Sequence, residues 1–135
     1  MRYIALIDGE AGAYGVTIPD LPGCTAMGAT IEEALAAAVD AMRDWADVLE
    51  EDGFGVPPPR AVADVRADPD VVDALAEGAM LATVALVRVT GRPVKANLSL
   101  DSGVLATLDA EAKRQGLTRS GMVEAMTKRL AAGNL

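Results

Sequence analysis

Three polar side chains, Lys95, Asn97 and Ser99, stand at alternate positions in the run Val94–Leu100, separated by Ala96 and Leu98. A strand sends successive side chains to opposite faces, so this spacing predicts a polar face and an apolar one, the latter made of Val94, Ala96, Leu98 and Leu100. Lys, Asn and Ser can read base edges by hydrogen bonding, and a two-stranded ribbon fits the major groove of B-DNA. A second set follows at Thr118, Arg119 and Ser120, where a helix is predicted to begin. Backbone amides and a guanidinium at a helix start suit a DNA phosphate. Arg92, just ahead of the run, is a further phosphate candidate. Alternation by itself is weak evidence, because most polar strand faces are simply solvated.

The elements that must position these residues form a short tail. Asp101-Ser102 can cap a helix running to about Gln115, with Val104, Leu105, Leu108 and Ala112 inward, and Gly116 suits the left-handed residue that ends it. Thr118 can cap a second helix whose core face is Met122, Val123, Met126 and Leu130. One strand and two helices in about 40 residues cannot close a core alone. A second copy of the chain supplies both a pairing strand and a core. The tail therefore resembles a ribbon-helix-helix DNA-binding domain, with residues 92–135 as its expected limits. Pro93 is tolerable at the strand's start, since the ribbon has a single pairing partner. Ser99 is short and Lys95 is a point charge, so tight binding calls for several dimers on repeated half-sites.

Charge divides the chain at the same place. Residues 1–91 hold 5 basic and 16 acidic residues, whereas residues 92–135 hold 7 and 4. A basic tail on an acidic body predicts a polyanion for the tail and a cationic protein for the body. The acidic residues Asp44, Asp47, Glu50 and Glu51 crowd the last turns of a predicted helix, where the macrodipole favours cations. They are the candidates for contact with that cationic protein. No run of 18 apolar residues exists to span a membrane, the start lacks a secretion leader, and the single cysteine, Cys24, suits a reducing cytoplasm.

The body, residues 1–91, reads as β-β-β-α, a short helix, then β. Arg2 to Asp8 is a strand with apolar residues on both faces, which predicts cover on both sides. Asp8–Gly12 is a turn, Ala13 to Ile18 the returning strand, and Cys24 to Ala29 a third short strand. Thr30-Ile31-Glu32-Glu33 has the form of a capping box, in which the Glu33 carboxylate would reach back to the Thr30 amide. It opens a helix to about Glu51 with apolar residues at 31, 35, 38, 42, 45 and 49. Gly53–Pro59 is a stiff connection, Asp70–Glu77 a short helix, and Ala79–Val89 a buried returning strand.

Two stretches carry a family resemblance: Ile18-Pro19-Asp20-Leu21-Pro22-Gly23-Cys24, and Gly28-Ala29-Thr30-Ile31-Glu32-Glu33-Ala34. A Pro-Asp-Leu-Pro-Gly-Cys turn ahead of a Gly-x-Thr-x-Glu-Glu-Ala helix start is similar to the signature of HicB-type antitoxins. The resemblance is close over residues 1 to about 60 and looser beyond. It implies an α+β chain: a degraded ribonuclease H-like body, then a dimeric β-α-α ribbon-helix-helix tail. It further implies that the body neutralises a HicA-like basic, mRNA-cleaving toxin, while the tail represses the operon by binding double-stranded operator DNA. A homodimer or higher homo-oligomer follows.

A ribonuclease H-like fold raises the question of catalysis. Two-metal hydrolysis needs several carboxylates converging on ions about 4 Å apart. Asp8, Asp20, Glu32 and Glu33 are dispersed over a strand end, a turn and a helix start, and Ala79–Val89 holds no acid. There is no histidine to act as base or to activate Cys24. The residues predict no catalytic group, metal or cofactor, and Cys24 reads as a small buried hydrophobe. The competing reading is a stand-alone ribbon-helix-helix regulator whose N-terminal domain senses a ligand or another protein.

Overall fold

The computed structural model describes residues 1–133. The first strand, β1 (Arg2–Glu10), is buried from Tyr3 to Ile7 without interruption, so both of its faces are covered. Tyr3, Ala5 and Ile7 join one apolar cluster, and Ile4 and Leu6 join another. Strand β2 (Ala13–Thr17) returns through a tight turn, with Glu10 opposite Ala13. Strand β3 (Thr25–Gly28) pairs with β2. The last strand, β4 (Met80–Ala85), comes back antiparallel to β1, which gives a four-stranded sheet in the order β3-β2-β1-β4.

Helix α1 (Ile31–Glu51) lies over one face of the sheet. Its buried stripe is Ala34, Leu35, Ala38, Val39, Met42 and Ala46, wider than the stripe the large residues predict, with Trp45 only partly buried. The alanines let the helix approach closely. A Cβ built on Gly28 would lie 2.3 Å from the Ala34 nitrogen, so strand and helix nearly touch backbone to backbone at that point. The large side chains Tyr3, Ile18, Leu21 and Met42 are fully buried in and around this layer. Burial of each contributes about 1.5–3 kcal/mol.

The opposite face of β1 is covered by α2 (Val62–Ala67) and α3 (Pro69–Ala76), whose Val65 and Val71 meet Ile4 and Leu6. Helix α2 is absent from the sequence-based order. It has six residues and a single buried anchor, Val65, too little for a periodic signal. Asp68 ends α2 and caps α3, accepting from the Asp70 amide at 3.0 Å.

Helices α4 (Ser102–Arg114) and α5 (Arg119–Ala131) fall where the capping residues place them. Gly116 has φ 70°, the left-handed residue expected after α4, and the Leu117 amide closes back on the Ala112 carbonyl at 2.8 Å. Between β4 and α4 no strand is assigned, so Val94–Leu100 is not a strand within one chain. A strand is defined by its ladder, and the sheet offers this run no partner. The end of α5 returns to the body. Ala131 and Ala132 are buried in the same cluster as α1, and the Arg2 guanidinium donates to the Leu130 carbonyl at 3.1 Å.

Candidate functional site

The tail presents its polar and apolar faces together. Arg92, Lys95, Asn97 and Ser99 are all exposed. So is the apolar side of the same run, with Val94 88%, Leu98 68% and Leu100 42% exposed. Behind that run lies a groove of about 440 Å³ whose lining includes Leu105, Leu108 and Val123 from the two helices. Asn97, Arg119 and Ser120 border it as well, so those three candidates are brought together. Arg92 borders a second groove, of about 590 Å³, with Ser120 and Lys128.

At the start of α5 the Thr118 hydroxyl accepts from the Gly121 amide at 3.0 Å, as a cap should. Arg119 is placed at the helix start but is not idle. Its Nε and Nη2 each donate to Asp109 at 2.9 Å, clamping α5 to α4. The guanidinium holds the Asp109 carboxyl below the usual carboxylate range. Any phosphate at this corner therefore competes with Asp109 for Arg119.

The acidic candidates on α1 separate into two groups. Arg88, 38 residues along the chain from Glu50, donates to both Glu50 oxygens at 2.6 and 2.8 Å and to Asp47 at 2.8 Å. Two of the acidic residues in the last turns of α1, Asp47 and Glu50, thus share one cation supplied from within the chain. The pairing lowers the Glu50 carboxyl pKa and holds the Arg88 guanidinium firmly charged. No local spacing signals it, because Arg88 comes from the segment after β4. Asp44 has only a long contact of 3.5 Å to Arg43, which also binds Asp40, and Glu51 is exposed.

The Pro19–Cys24 turn positions rather than reacts. Asp20, with its side chain 5% exposed, accepts from the Arg60 amide at 2.8 Å and from Arg60 Nε at 2.5 Å. Arg60 also donates to Asp68 at 3.3 Å, which ties the turn to the start of α3. Trp45 Nε1 donates to the Pro22 carbonyl at 2.9 Å, fixing the indole against the turn. The Tyr3 hydroxyl donates to the Pro57 carbonyl at 2.6 Å, and burial, then the Asp20 charge, push the phenol up. Cys24 is buried and its thiol is likewise pushed up, the opposite of an activated nucleophile. The capping box forms with one change: Thr30 accepts from the Glu33 amide, but the Glu33 carboxylate reaches the Ala29 amide, not that of Thr30. Among the described residues, no group of three or more His, Cys, Asp or Glu side chains could hold a metal ion.

A family model described as the HicB-like antitoxin of bacterial toxin-antitoxin systems matches residues 3–127. Among solved structures, the Burkholderia pseudomallei antitoxin HicB is 28% identical, with a TM-score of 0.56 over 96% of this chain and 98% of that one. A chain of a structure described as the HicA3 and HicB3 toxin-antitoxin complex is matched at 26% identity and a TM-score of 0.54, covering 64% of this chain and 99% of the other. The isolated N-terminal domain of the Burkholderia pseudomallei HicB is matched at 28% identity and a TM-score of 0.52, with coverages of 64% and 99%. No curated protein sequence matches.

Proposed function

The chain belongs to the HicB-like antitoxin family of bacterial toxin-antitoxin systems, and we propose that it joins two activities: residues 1–91 hold a HicA-like mRNA-cleaving toxin, and residues 92–135 repress the operon. The observation that carries the antitoxin role is the match running from β1 into α5, both to the family model and to a whole HicB antitoxin. The structural match to a chain of a HicA3 and HicB3 toxin-antitoxin complex supports a HicA-like partner. The β-β-β-α order of the body, with a last strand returning beside β1, supports the degraded ribonuclease H-like reading.

The DNA half rests on the exposed run Val94–Leu100. Its apolar residues lie open beside the α4–α5 groove, an arrangement a second copy would close by pairing the two runs. The dimer would then carry six polar side chains, Lys95, Asn97 and Ser99 from each copy, into a major groove. Arg92 and the start of α5 at Thr118–Ser120 would set the register on phosphates. The role needs no catalytic group, metal or cofactor.

The test has two arms, both with the full chain. Co-expression with the HicA-like toxin of the same operon is expected to restore growth, and the protein is expected to shift DNA from upstream of that operon but not random DNA of equal length. Absence of rescue contradicts the toxin half, and equal shifting of both DNAs contradicts the specific ribbon.

A further inference from the structure

We propose that the toxin is held in the groove between β3 and the C-terminal half of α1, and not on the acidic turn that Arg88 occupies. The inference rests on the antitoxin reading above and adds where on the body the partner sits. The groove measures about 510 Å³ and runs from the Gly23–Thr25 end of the motif turn along α1 to Asp52. Its floor is apolar, made by Ala41, Trp45, Val48 and Leu49. Val48 is 59% exposed, the large apolar residue of α1 that stays open to solvent. Asp44 and Asp52 border the floor, and both are exposed.

Three features fit a cationic protein segment. First, the carboxylates here are available. Asp47 and Glu50 are both engaged by Arg88, whereas Asp44 has only its long contact to Arg43, and no ion pair reaches Asp52 among the described residues. Second, the floor is preorganised. The Trp45 indole is pinned by its hydrogen bond to the Pro22 carbonyl, so binding need not order it. A fixed aromatic face beside carboxylates accepts the stem of a Lys or Arg and pairs its head group. Third, β3 is an edge strand, its first residue Thr25 lines the groove, and among the described residues no strand pairs with its outer side, which suits an extended segment. An apolar floor rimmed by acids would complement a HicA-like toxin that presents a basic, partly apolar extended segment.

Trp45 is the sole tryptophan of the chain, which makes the groove directly observable. The full-length protein would be titrated with the HicA-like toxin of the same operon, its own tryptophans replaced by phenylalanine, following Trp45 emission, with affinity measured by calorimetry. The expected result is a change in Trp45 emission on binding. Val48→Arg and Asp44→Lys should each weaken the complex about tenfold or more by placing a cation against the partner. Asp47→Asn, on the Arg88 clamp, should leave affinity within about twofold. Both groove substitutions are at exposed positions, and far-UV circular dichroism checks that each variant is folded. Unchanged affinity in both groove variants with a silent Trp45 overturns the groove while leaving the antitoxin reading intact. Failure of the wild type to bind overturns that reading and the groove with it. Loss of self-association in Val48→Arg, with toxin affinity retained, assigns the groove to a second copy and also overturns the proposal.

Discussion

Replacing Gly28 with alanine separates packing from recognition in the motif that marks this family. Gly28 lies at the end of β3, directly beneath the first turn of α1. An alanine Cβ there would lie 2.3 Å from the Ala34 nitrogen, 2.7 Å from the Glu33 carbonyl carbon and 2.8 Å from the Ala34 Cα. Carbon contacts relax near 3.5–4.0 Å, so helix and strand must part by about 1 Å. Overpacking costs about 1–3 kcal/mol, and here every neighbour is backbone, with no rotamer to yield, so the upper end, about 3 kcal/mol, is expected. With a urea slope of about 1.5 kcal/mol/M the midpoint falls by about 2 M. Far-UV circular dichroism and Trp45 emission, followed through the same urea titration, measure it. The folded fraction should still bind toxin, because Gly28 does not line the groove. A midpoint within about 0.3 M of wild type refutes the close-packing account. A normal midpoint with lost toxin binding makes the glycine a contact residue instead.

The tail yields the remaining predictions. Asp109→Asn frees the Arg119 guanidinium and is expected to strengthen binding to all DNA sequences, whereas Arg119→Ala weakens all of them and lowers the salt slope by about 1; filter binding at several salt concentrations reads both. Asn97→Ala is expected to lower discrimination between operator and random DNA by about 1–3 kcal/mol, and a competition gel shift that finds the ratio unchanged removes Asn97 from the readers. The Glu111 carboxyl, bonded by Arg114 and Gln115, is held down from 4.5 to about 2, and Asp109 is lowered by Arg119. Each favours the folded tail above its unfolded pKa, so α4–α5 stability should fall as pH drops from about 4.5 towards 2. Glu111→Gln should flatten that loss in a thermal melt recorded across the range.

Residues that act on their sequence neighbours were the legible ones. The two-sided apolar pattern of Tyr3–Ile7 announced a covered central strand. Thr30 with Glu33, Asp101, Gly116 and Thr118 announced helix ends that the structure places within a residue or two. What stayed hidden depends on residues far apart in the chain. Arg88 reaching Glu50, Arg60 reaching Asp20, and Ala131 and Ala132 settling against α1 leave no trace in any local spacing. Among the candidate sites, the alternation of Val94–Leu100 was plain, but a strand needs a partner and one chain does not contain it. Charge counting found Asp47 and Glu50 without seeing that their cation was already supplied.

The central claim is that toxin neutralisation and DNA repression sit on separate surfaces of one chain, and the substitution Leu98→Asp tests it most directly. Leu98 is 68% exposed and belongs to the apolar side of the proposed ribbon, away from the β3–α1 groove. The measurement is growth rescue by this variant in cells expressing the HicA-like toxin, with an operator-driven reporter read in the same cultures. Rescue is expected to persist while the reporter is derepressed. Loss of rescue by a folded variant, or repression that survives the charge, contradicts that separation.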